Sequence, residues 1–344
     1  MTALLQVSDL TVGFPTEDGL VQAVRGVSYE VHPGDAVGIV GESGSGKSVT
    51  SLAIMGLLPR GARVTGSIRL LGEELLGRTD AEMSRVRGRT VSMIFQDPLT
   101  SLNPVYTVGT QIAEAVLVHN GVSKQRAMAR AEELLEIVGI PHPKQRVHSY
   151  PHEMSGGMRQ RVVIAIAMAN NPELIIADEP TTALDVTVQA QVLEALKAAR
   201  RETGAALVLI THDLGVIAGH TDRVGVMYAG RMVETGTVDE IFYHPRMPYT
   251  LGLLGSLPRI DEAGRQRLTP ITGVPPSLLE PPPGCPFAPR CPMSRELCEE
   301  SEPALFETTG PSHRAACHFH GELATTTTAE DVFAATADDP EVPR

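Results

Sequence analysis

Apolar and polar positions alternate at the start of the chain, as in strands, and farther along they recur at the spacing of a helix. Residues 4–14 and 22–31 alternate between apolar and polar side chains, which predicts two half-exposed strands. Ala36 to Val40 is a short apolar run after a Pro-Gly-Asp turn and predicts a buried strand. A glycine-rich loop follows, and a helical stretch then runs to about Leu58.

The pattern becomes helical from about Asp97 to Asn170. Ser123 is a suitable N-cap, and the apolar residues after it lie on one face at helical spacing: Ala127, Ala131, Leu134, Leu135 and Val138. We interpret this block as an insertion.

Strand patterns return after the helical block. They occupy 174–177, 206–210 and 224–228, and a helix from Val186 to Thr203 connects the first two. Strands that alternate with helices predict an α/β fold whose parallel sheet is covered on both faces.

The composition changes beyond His244. Twelve of the 26 prolines lie between Pro245 and Pro292, which excludes long helices and central strands there. From about Gly321 to Arg344 the chain is rich in Thr and Ala, acidic and poor in large apolar residues, which predicts disorder. We therefore predict three parts: 1–243, 244–320 and a disordered tail, 321–344.

The charge balance excludes one class of partner. With 29 basic and 41 acidic residues the net charge is −12, which argues against a nucleic-acid binder. The start resembles no secretory signal, and no segment approaches the roughly 18–20 apolar residues of a membrane span. We expect a cytosolic chain that reaches a membrane only through a partner.

The glycine-rich loop has the spacing of a phosphate-binding loop. It follows a predicted strand, opens a predicted helix and consists of Gly41, Glu42, Ser43, Gly44, Ser45, Gly46, Lys47 and Ser48, with Val49 after it. Backbone N–H groups and the helix N-terminus would face phosphate oxygens. We expect Lys47 to reach the β- and γ-phosphates and the Ser48 hydroxyl to bind Mg²⁺.

Two carboxylates follow the predicted strand at 174–177. Asp178 can hold the Mg²⁺ hydration shell, and Glu179 can orient the attacking water. Together with the loop, they predict a P-loop NTPase.

Ser155-Gly156-Gly157 is a second anion-binding device. It begins an apolar helix and lies too far along the chain to belong to the first loop. Two phosphate-binding loops in one chain suggest a site that another subunit completes.

These residues resemble the ABC ATPases. Ser155-Gly156-Gly157 is similar to the family's signature motif, with Met154 where leucine is common. The resemblance implies four further roles: Gln96 contacts Mg²⁺ and senses the membrane partner, Asp185 belongs to the D-loop, His212 contacts the γ-phosphate, and Phe14 stacks on adenine. With Glu179 and Lys47, His212 would be catalytic. The implied fold is an ABC domain with a parallel-sheet core, an antiparallel β subdomain, a helical subdomain at about 97–170 and a small Pro/Cys-rich C-terminal lobe.

Four longer segments resemble the oligopeptide/dipeptide importer subfamily, which includes nickel importers. They are 96–104, 150–161, 244–250 and the stretch from Gly273, with Met247 where the subfamily has histidine. The resemblance implies an ATPase at the cytoplasmic face of the plasma membrane, bound to a second ABC ATPase subunit, two permeases and, within the complex, an extracytoplasmic solute-binding protein. The alternatives are an importer of nickel or another small solute and a soluble ABC-type ATPase acting on nucleic acid or ribosomes.

All four cysteines lie in the predicted part 244–320: Cys285, Cys291, Cys298 and Cys317. In a reducing compartment such a cluster favours a metal site over disulfides. The subfamily carries a similar four-cysteine pattern, associated in some members with a [4Fe-4S] cluster. Zinc, with His313, His318 or His320 as substitute ligands, and unligated thiols are the alternatives. We expect any such site to be structural.

Overall fold

The computed structural model describes residues 2–182, 184–257, 271–310, 312–323 and 328–333. In this part of the chain the strands are β1 (Leu5–Thr16), β2 (Gly19–Val31), β3 (Ala36–Val40), β4 (Arg63–Leu70), β5 (Glu73–Glu74), β6 (Val91–Ile94), β7 (Leu174–Asp178), β8 (Ala206–Thr211), β9 (Arg223–Tyr228), β10 (Arg231–Thr237), β11 (Phe306–Gly310) and β12 (His313–Ala315). The helices are α1 (Lys47–Ile54), α2 (Asp80–Val86), α3 (Pro98–Ser101), α4 (Val108–His119), α5 (Lys124–Ile137), α6 (Pro143–Arg146), α7 (Gly156–Ala167), α8 (Val186–Thr203), α9 (Leu214–Ala218), α10 (Val238–Tyr243), α11 (Pro248–Gly255), α12 (Glu296–Glu300) and α13 (Ala329–Phe333).

The larger sheet has the order β11-β12-β10-β9-β3-β8-β7-β6. The five strands from β9 to β6 are parallel, and β10, β12 and β11 add to one side in antiparallel pairs. Every residue of β3, β7 and β8 is buried, as expected for a sheet covered on both faces. The predicted α/β fold with a parallel core is confirmed. Because β3, β8 and β7 are adjacent and parallel, the loops after them meet at one edge.

The smaller sheet is antiparallel, with the order β2-β1-β4-β5. Alternate residues of β1, including Leu5, Val7 and Val12, are buried, so that one face of this sheet is apolar. That face packs with Ile39 of β3 and Ile54 of α1 in a common core. The small sheet therefore lies against the helix that follows the phosphate loop.

Helices α3 to α7 run consecutively between β6 and β7. Ser123 caps α5, because its Oγ accepts a hydrogen bond from the N–H of Arg126 at 3.3 Å. The predicted apolar face of α5 is buried, and it continues into the core of the larger sheet. The cap and this face are confirmed.

The region beyond His244 packs onto the rest of the molecule. Strand β12 pairs with β10, and Phe287 and Ala316 belong to the main core. Helix α13 contacts α11, and Phe333 in it is 2% exposed. The prediction of disorder is therefore wrong for Ala329–Phe333, because Phe333 and Val332 supply enough apolar surface to dock the segment. Residues 324–327 and 334–344 of the predicted tail lie outside the described residues.

Candidate functional site

The loop between β3 and α1 has the conformation that phosphate binding requires. Gly41 has φ 155°, and a Cβ there would lie 2.1 Å from the carbonyl oxygen of Met227, so that only glycine fits. Gly46 caps α1 without any side-chain hydrogen bond to the first turn. The N–H groups of that turn therefore face the loop without a competing side chain.

Lys47 lies folded under the loop and is 4% exposed. Its Nζ donates hydrogen bonds to the carbonyl oxygens of Gly41 at 2.7 Å and Glu42 at 2.9 Å. Burial lowers the pKa of Lys47, and the carboxylates of Glu179, Asp178 and Glu42 oppose that shift. An anion in the cavity would further favour the charged amine.

Two oxygen ligands meet at the start of α1 and the end of β7. The Ser48 hydroxyl donates a hydrogen bond of 3.0 Å to Oδ1 of Asp178. Burial raises the pKa of Asp178, and the charge of Glu179 adds to this, whereas the Ser48 bond and Lys47 lower it. Hydroxyl and carboxylate oxygens are suitable ligands for Mg²⁺, so this pair fits the predicted role.

Glu179 is the meeting point of three loops. Its Oε2 accepts hydrogen bonds from Nε2 of Gln96 at 3.1 Å and Oγ1 of Thr182 at 2.8 Å, and it lies 3.4 Å from Nδ1 of His212. Glu179 also has φ 47°, a left-handed conformation that is rare outside glycine and marks a constrained position. The structure therefore brings together Gln96, Glu179 and His212, three residues predicted to act at the nucleotide, each of which follows a different parallel strand.

These groups surround one cavity of about 810 Å³. It is lined by Glu42, Ser43, Gly44, Ser45, Gly46, Lys47, Ser48, Val49, Gln96, Glu179 and His212, together with Val21, Ala23, Leu253 and Leu278. The volume is within the range of small-ligand sites.

Gly41 and Asp178 do not line the cavity themselves but bond Lys47 and Ser48, which do. Four further predicted site residues also lie outside the lining: Ser155, Gly156, Gly157 and Asp185. Ser155 caps α7 and accepts from the N–H of Met158 at 3.3 Å, and Asp185 caps α8 in the same way. Gly157 is fixed by packing, since a Cβ there would lie 2.2 Å from Cγ1 of Val188. Ser155 and Gly156 are exposed, and their role toward a second subunit stays a prediction.

Phe14 also lies outside the lining of the cavity. It is half-buried and packs against the core of the smaller sheet, where it pairs with Val21 of β2. The apolar wall consists instead of Val21, Leu253 and Leu278. Sequence reasoning missed Leu253 and Leu278, because both come from the proline-rich region far along the chain.

The four cysteines line one small pocket, and all are free thiols. Burial raises the pKa of Cys291 to about 12 and of Cys317 to about 11, with the other thiols adding to both shifts. Among the described residues, no three His, Cys, Asp or Glu side chains are placed so that they could hold a metal ion. A single zinc ion needs four ligands at one point, so zinc does not fit this arrangement.

The nearby histidines have other partners. The Nε2 atom of His313 lies 2.8 Å from Oε1 of Glu234, and both side chains are fully buried. Nε2 of His318 lies 2.9 Å from the carbonyl oxygen of Ser301, and His320 stacks on Phe306. Their predicted role as substitute zinc ligands is wrong for this structure.

Comparisons with known proteins agree with this site. The family model for ABC transporters matches residues 24–182, and that for the oligopeptide/dipeptide transporter C-terminal region matches 233–298. The dimeric ATP-binding cassette MJ0796 with ADP and phosphate is similar in structure, with TM-score 0.61 and 26% identity over 68% of this chain and 98% of that one. No helix in the described residues could cross a membrane.

Curated relatives are more similar still. The oligopeptide transport ATP-binding protein OppD of Mycobacterium tuberculosis is 57% identical over 97% of this chain, which spans only 54% of that relative. OppD of Bacillus subtilis is 54% identical over 90% of this chain and 87% of its own length. The dipeptide transport ATP-binding protein DppD of Bacillus subtilis is 53% identical over 94% and 97%. The chain therefore belongs to the ATP-binding proteins of ABC transporters, in the group with the oligopeptide/dipeptide transporter C-terminal region.

Proposed function

We propose that this chain is the ATP-hydrolysing subunit of a membrane importer for dipeptides or oligopeptides. The cavity that joins the Lys47 loop to Glu179, Gln96 and His212 carries the proposal of ATP hydrolysis. The oligopeptide and dipeptide transport relatives support the substrate class. Import of nickel or another small solute is the nearest alternative.

Lys47 and the loop would bind the triphosphate. The Lys47 amine donates hydrogen bonds to the loop's own carbonyl oxygens, at Gly41 and Glu42. When ATP binds, the amine can exchange one of these bonds for the β- and γ-phosphate oxygens, and the N–H groups of the first turn of α1 can donate to the same anion.

Ser48 and Asp178 would hold Mg²⁺, with Gln96 close to the same region. Bound Mg²⁺ would neutralise charge on the β- and γ-phosphates. Asp178 is buried, and burial disfavours its ionised form and so raises its pKa. A bound Mg²⁺ would stabilise the ionised Asp178 carboxylate and lower its pKa.

Glu179 and His212 would act on the γ-phosphate. The Glu179 carboxylate can accept a hydrogen bond from the attacking water, whose oxygen forms the new bond to phosphorus as the bond to the β–γ bridging oxygen breaks. His212 is more than half exposed, with its ring at the mouth of the cavity, where it can contact a γ-phosphate oxygen. Gln96 donates a hydrogen bond to Glu179, so a change in the contacts of Glu179 can move Gln96 and the loop that carries it.

A second ABC subunit would complete the site. Ser155 and Gly156, at the start of α7, are exposed and lie outside the cavity, so they are available to a nucleotide held by another chain. Asp185 would lie near the same junction. The sequence favours neither a copy nor a paralogue as the second subunit.

Two permeases would dock on the surface beside Gln96. Phe95 precedes Gln96 directly and is 39% exposed, while Val105 and Tyr106 are 70% and 53% exposed. Such apolar side chains near a loop that contacts Glu179 are suited to a membrane partner. We place the chain at the cytoplasmic face of the plasma membrane, with an extracytoplasmic solute-binding protein in the same complex.

The cysteine pocket is proposed to hold a [4Fe-4S] cluster. The four free thiols around one pocket support this, because each thiolate of such a cluster binds a different iron, and the ligands need not converge on one point. Binding would require loss of the thiol protons. Anaerobic purification should yield four iron and four acid-labile sulfide per chain, and a colourless chain without them would end the proposal.

The transport proposal is tested by co-purification and by an uptake assay. A tagged chain, extracted from membranes in mild detergent, should co-purify with two polytopic permeases, and its deletion should abolish uptake of a labelled tripeptide. Recovery with ribosomes or DNA instead would favour the soluble ABC-type ATPase, which the net charge of −12 disfavours.

A further inference from the structure

Glu42, in the phosphate loop, is held by groups from far along the chain. Its two carboxylate oxygens accept hydrogen bonds from Nη1 and Nη2 of Arg290 at 2.7 Å and 2.9 Å. Its backbone N–H donates to the Tyr249 hydroxyl oxygen at 2.8 Å. Residues of the proline-rich region therefore fix both the side chain and the backbone of one loop residue.

Arg290 is itself tightly constrained. Its side chain is 5% exposed, its Nε donates to the carbonyl oxygen of Thr272 at 3.0 Å, and its Nη1 also bonds the Tyr228 hydroxyl at 3.3 Å. The guanidinium lies 5.8 Å and 5.9 Å from the ring centroids of Tyr228 and Phe287. Arg290 can therefore pair with Glu42 in essentially one geometry.

The charge of Glu42 makes this pair important for an anionic ligand. Glu42 lines the cavity with its side chain 26% exposed, beside the Lys47 amine that bonds its carbonyl. Asp178 and Glu179 already place two carboxylates near the same amine. Without Arg290, Glu42 would add an unpaired carboxylate to the wall that faces the triphosphate. The negative charges of the carboxylate and the phosphates would then repel each other.

We infer that Arg290 is a positioning residue of the nucleotide site, which neutralises Glu42 and fixes the phosphate loop for ATP. This inference rests on the proposed function, since it concerns ATP binding in the same cavity. It makes the proline-rich region part of the nucleotide site. Leu278 of that region supports this, because it lines the cavity and its carbonyl accepts a hydrogen bond from the N–H of Gln22 at 2.9 Å.

The experiment separates this charge effect from simple packing. We would measure the Kd for ATP in EDTA, where no hydrolysis occurs, by calorimetry on the full-length chain. Arg290→Gln should weaken binding about tenfold, because the Glu42 carboxylate is left unpaired. The double variant Glu42→Gln/Arg290→Gln should recover most of the affinity, since it removes the carboxylate as well. In the presence of Mg²⁺, Arg290→Gln should raise KM by a similar factor and leave kcat within about twofold, because Glu179 and His212 are untouched.

Arg295 provides a matched control. It lies in the same region and forms an ion pair with Glu322, but it is half-exposed and does not line the cavity. Arg295→Gln should leave the Kd for ATP unchanged. If Arg290→Gln does not fold, Arg290→Lys, which keeps the charge but loses the bidentate geometry, should weaken binding about threefold.

Two outcomes would overturn the inference. One is an Arg290 variant that binds ATP as tightly as the unaltered chain. The other is a double variant as weak as Arg290→Gln alone, which would show that Arg290 acts only through packing. Failure of the unaltered chain to bind ATP would instead contradict the proposed function itself.

Discussion

The two helix N-termini predicted to bind phosphate differ sharply in their surroundings. The loop before α1 follows a central strand of the larger sheet, with Lys47 buried beneath it and the carboxylates of Asp178 and Glu179 at the end of β7. The start of α7 is exposed at Ser155 and Gly156 and carries no lysine; the Ser155 cap and the packing of Gly157 against Val188 help to hold it in place.

This difference shows what each loop can do alone. The first has a cation, oxygen ligands for a metal and a candidate base, so it can bind a triphosphate and direct water to it. The second offers N–H groups, the Ser155 hydroxyl and a partial helix charge that is worth at most about 1–2 kcal/mol toward an anion. A loop of that kind contributes to binding only when another chain brings the rest of the ligand to it.

The largest expected effect concerns Glu179 in the first loop's cavity. Glu179→Gln should lower kcat for ATP hydrolysis at least about a hundredfold, because an amide cannot accept the water's proton or orient it in the same way. ATP binding should persist, and the chain should accumulate as an ATP-bound dimer in size-exclusion chromatography. The exposed Glu173, at the opposite end of β7, is the control, and Glu173→Gln should retain normal turnover. Normal turnover in Glu179→Gln would remove Glu179 from its proposed role.

The second effect isolates the exposed loop. Ser155→Ala should lower turnover about tenfold and abolish the ATP-dependent dimer. The substitution removes the hydroxyl that would donate a hydrogen bond to the triphosphate held by the second subunit. It also removes a helix cap, which costs about 1 kcal/mol of stability by itself. Ser123→Ala controls for that loss, since Ser123 caps α5 through the same bond to the third N–H, at the same 3.3 Å. Equal turnover in the two variants would mean that Ser155 is only a cap.

The first loop and its strands could be predicted because their signals are local. Ala36–Val40 and Val186–Thr203 have the predicted bounds, since an apolar run bounded by a turn and a long helix ended by Gly204 are each specified within a few residues. The acidic and polar strand ends could be expected to converge, because parallel strands place their carboxyl ends at one edge.

The wall of the cavity could not be predicted in this way. Arg290 and Glu42 are 248 residues apart, and no periodicity relates them. Leu253 and Leu278 look like ordinary residues of a proline-rich segment, whereas Phe14 matched the family position and yet packs in the core of the smaller sheet. These contacts depend on how α11 and the proline-rich segment pack against the larger sheet, which is a property of the whole fold.

The smallest effect tests the cost of burying charge in the first loop's cavity. The pKa of Asp178 is raised, mainly by burial, so folding disfavours its ionised form. The penalty is complete above the raised pKa and disappears as pH falls through it towards the ordinary aspartate value. Asp178→Asn keeps the acceptor for Ser48 and removes the charge. It should therefore raise the Tm of the nucleotide-free, metal-free chain by about 1–3 °C at pH 8, with a smaller gain at lower pH.

Asp18→Asn is the control for this measurement. Asp18 is exposed in the turn between β1 and β2, and its replacement should leave the Tm unchanged. A fall in Tm for Asp178→Asn would mean that Lys47 and Ser48 stabilise the carboxylate more than burial penalises it. The expected rise would show that burial of the Asp178 carboxylate lowers the stability of the fold, whereas Ser155→Ala removes a helix cap and should lower the Tm. The two loops would then differ in the sign of their contribution to stability as well as in their chemistry.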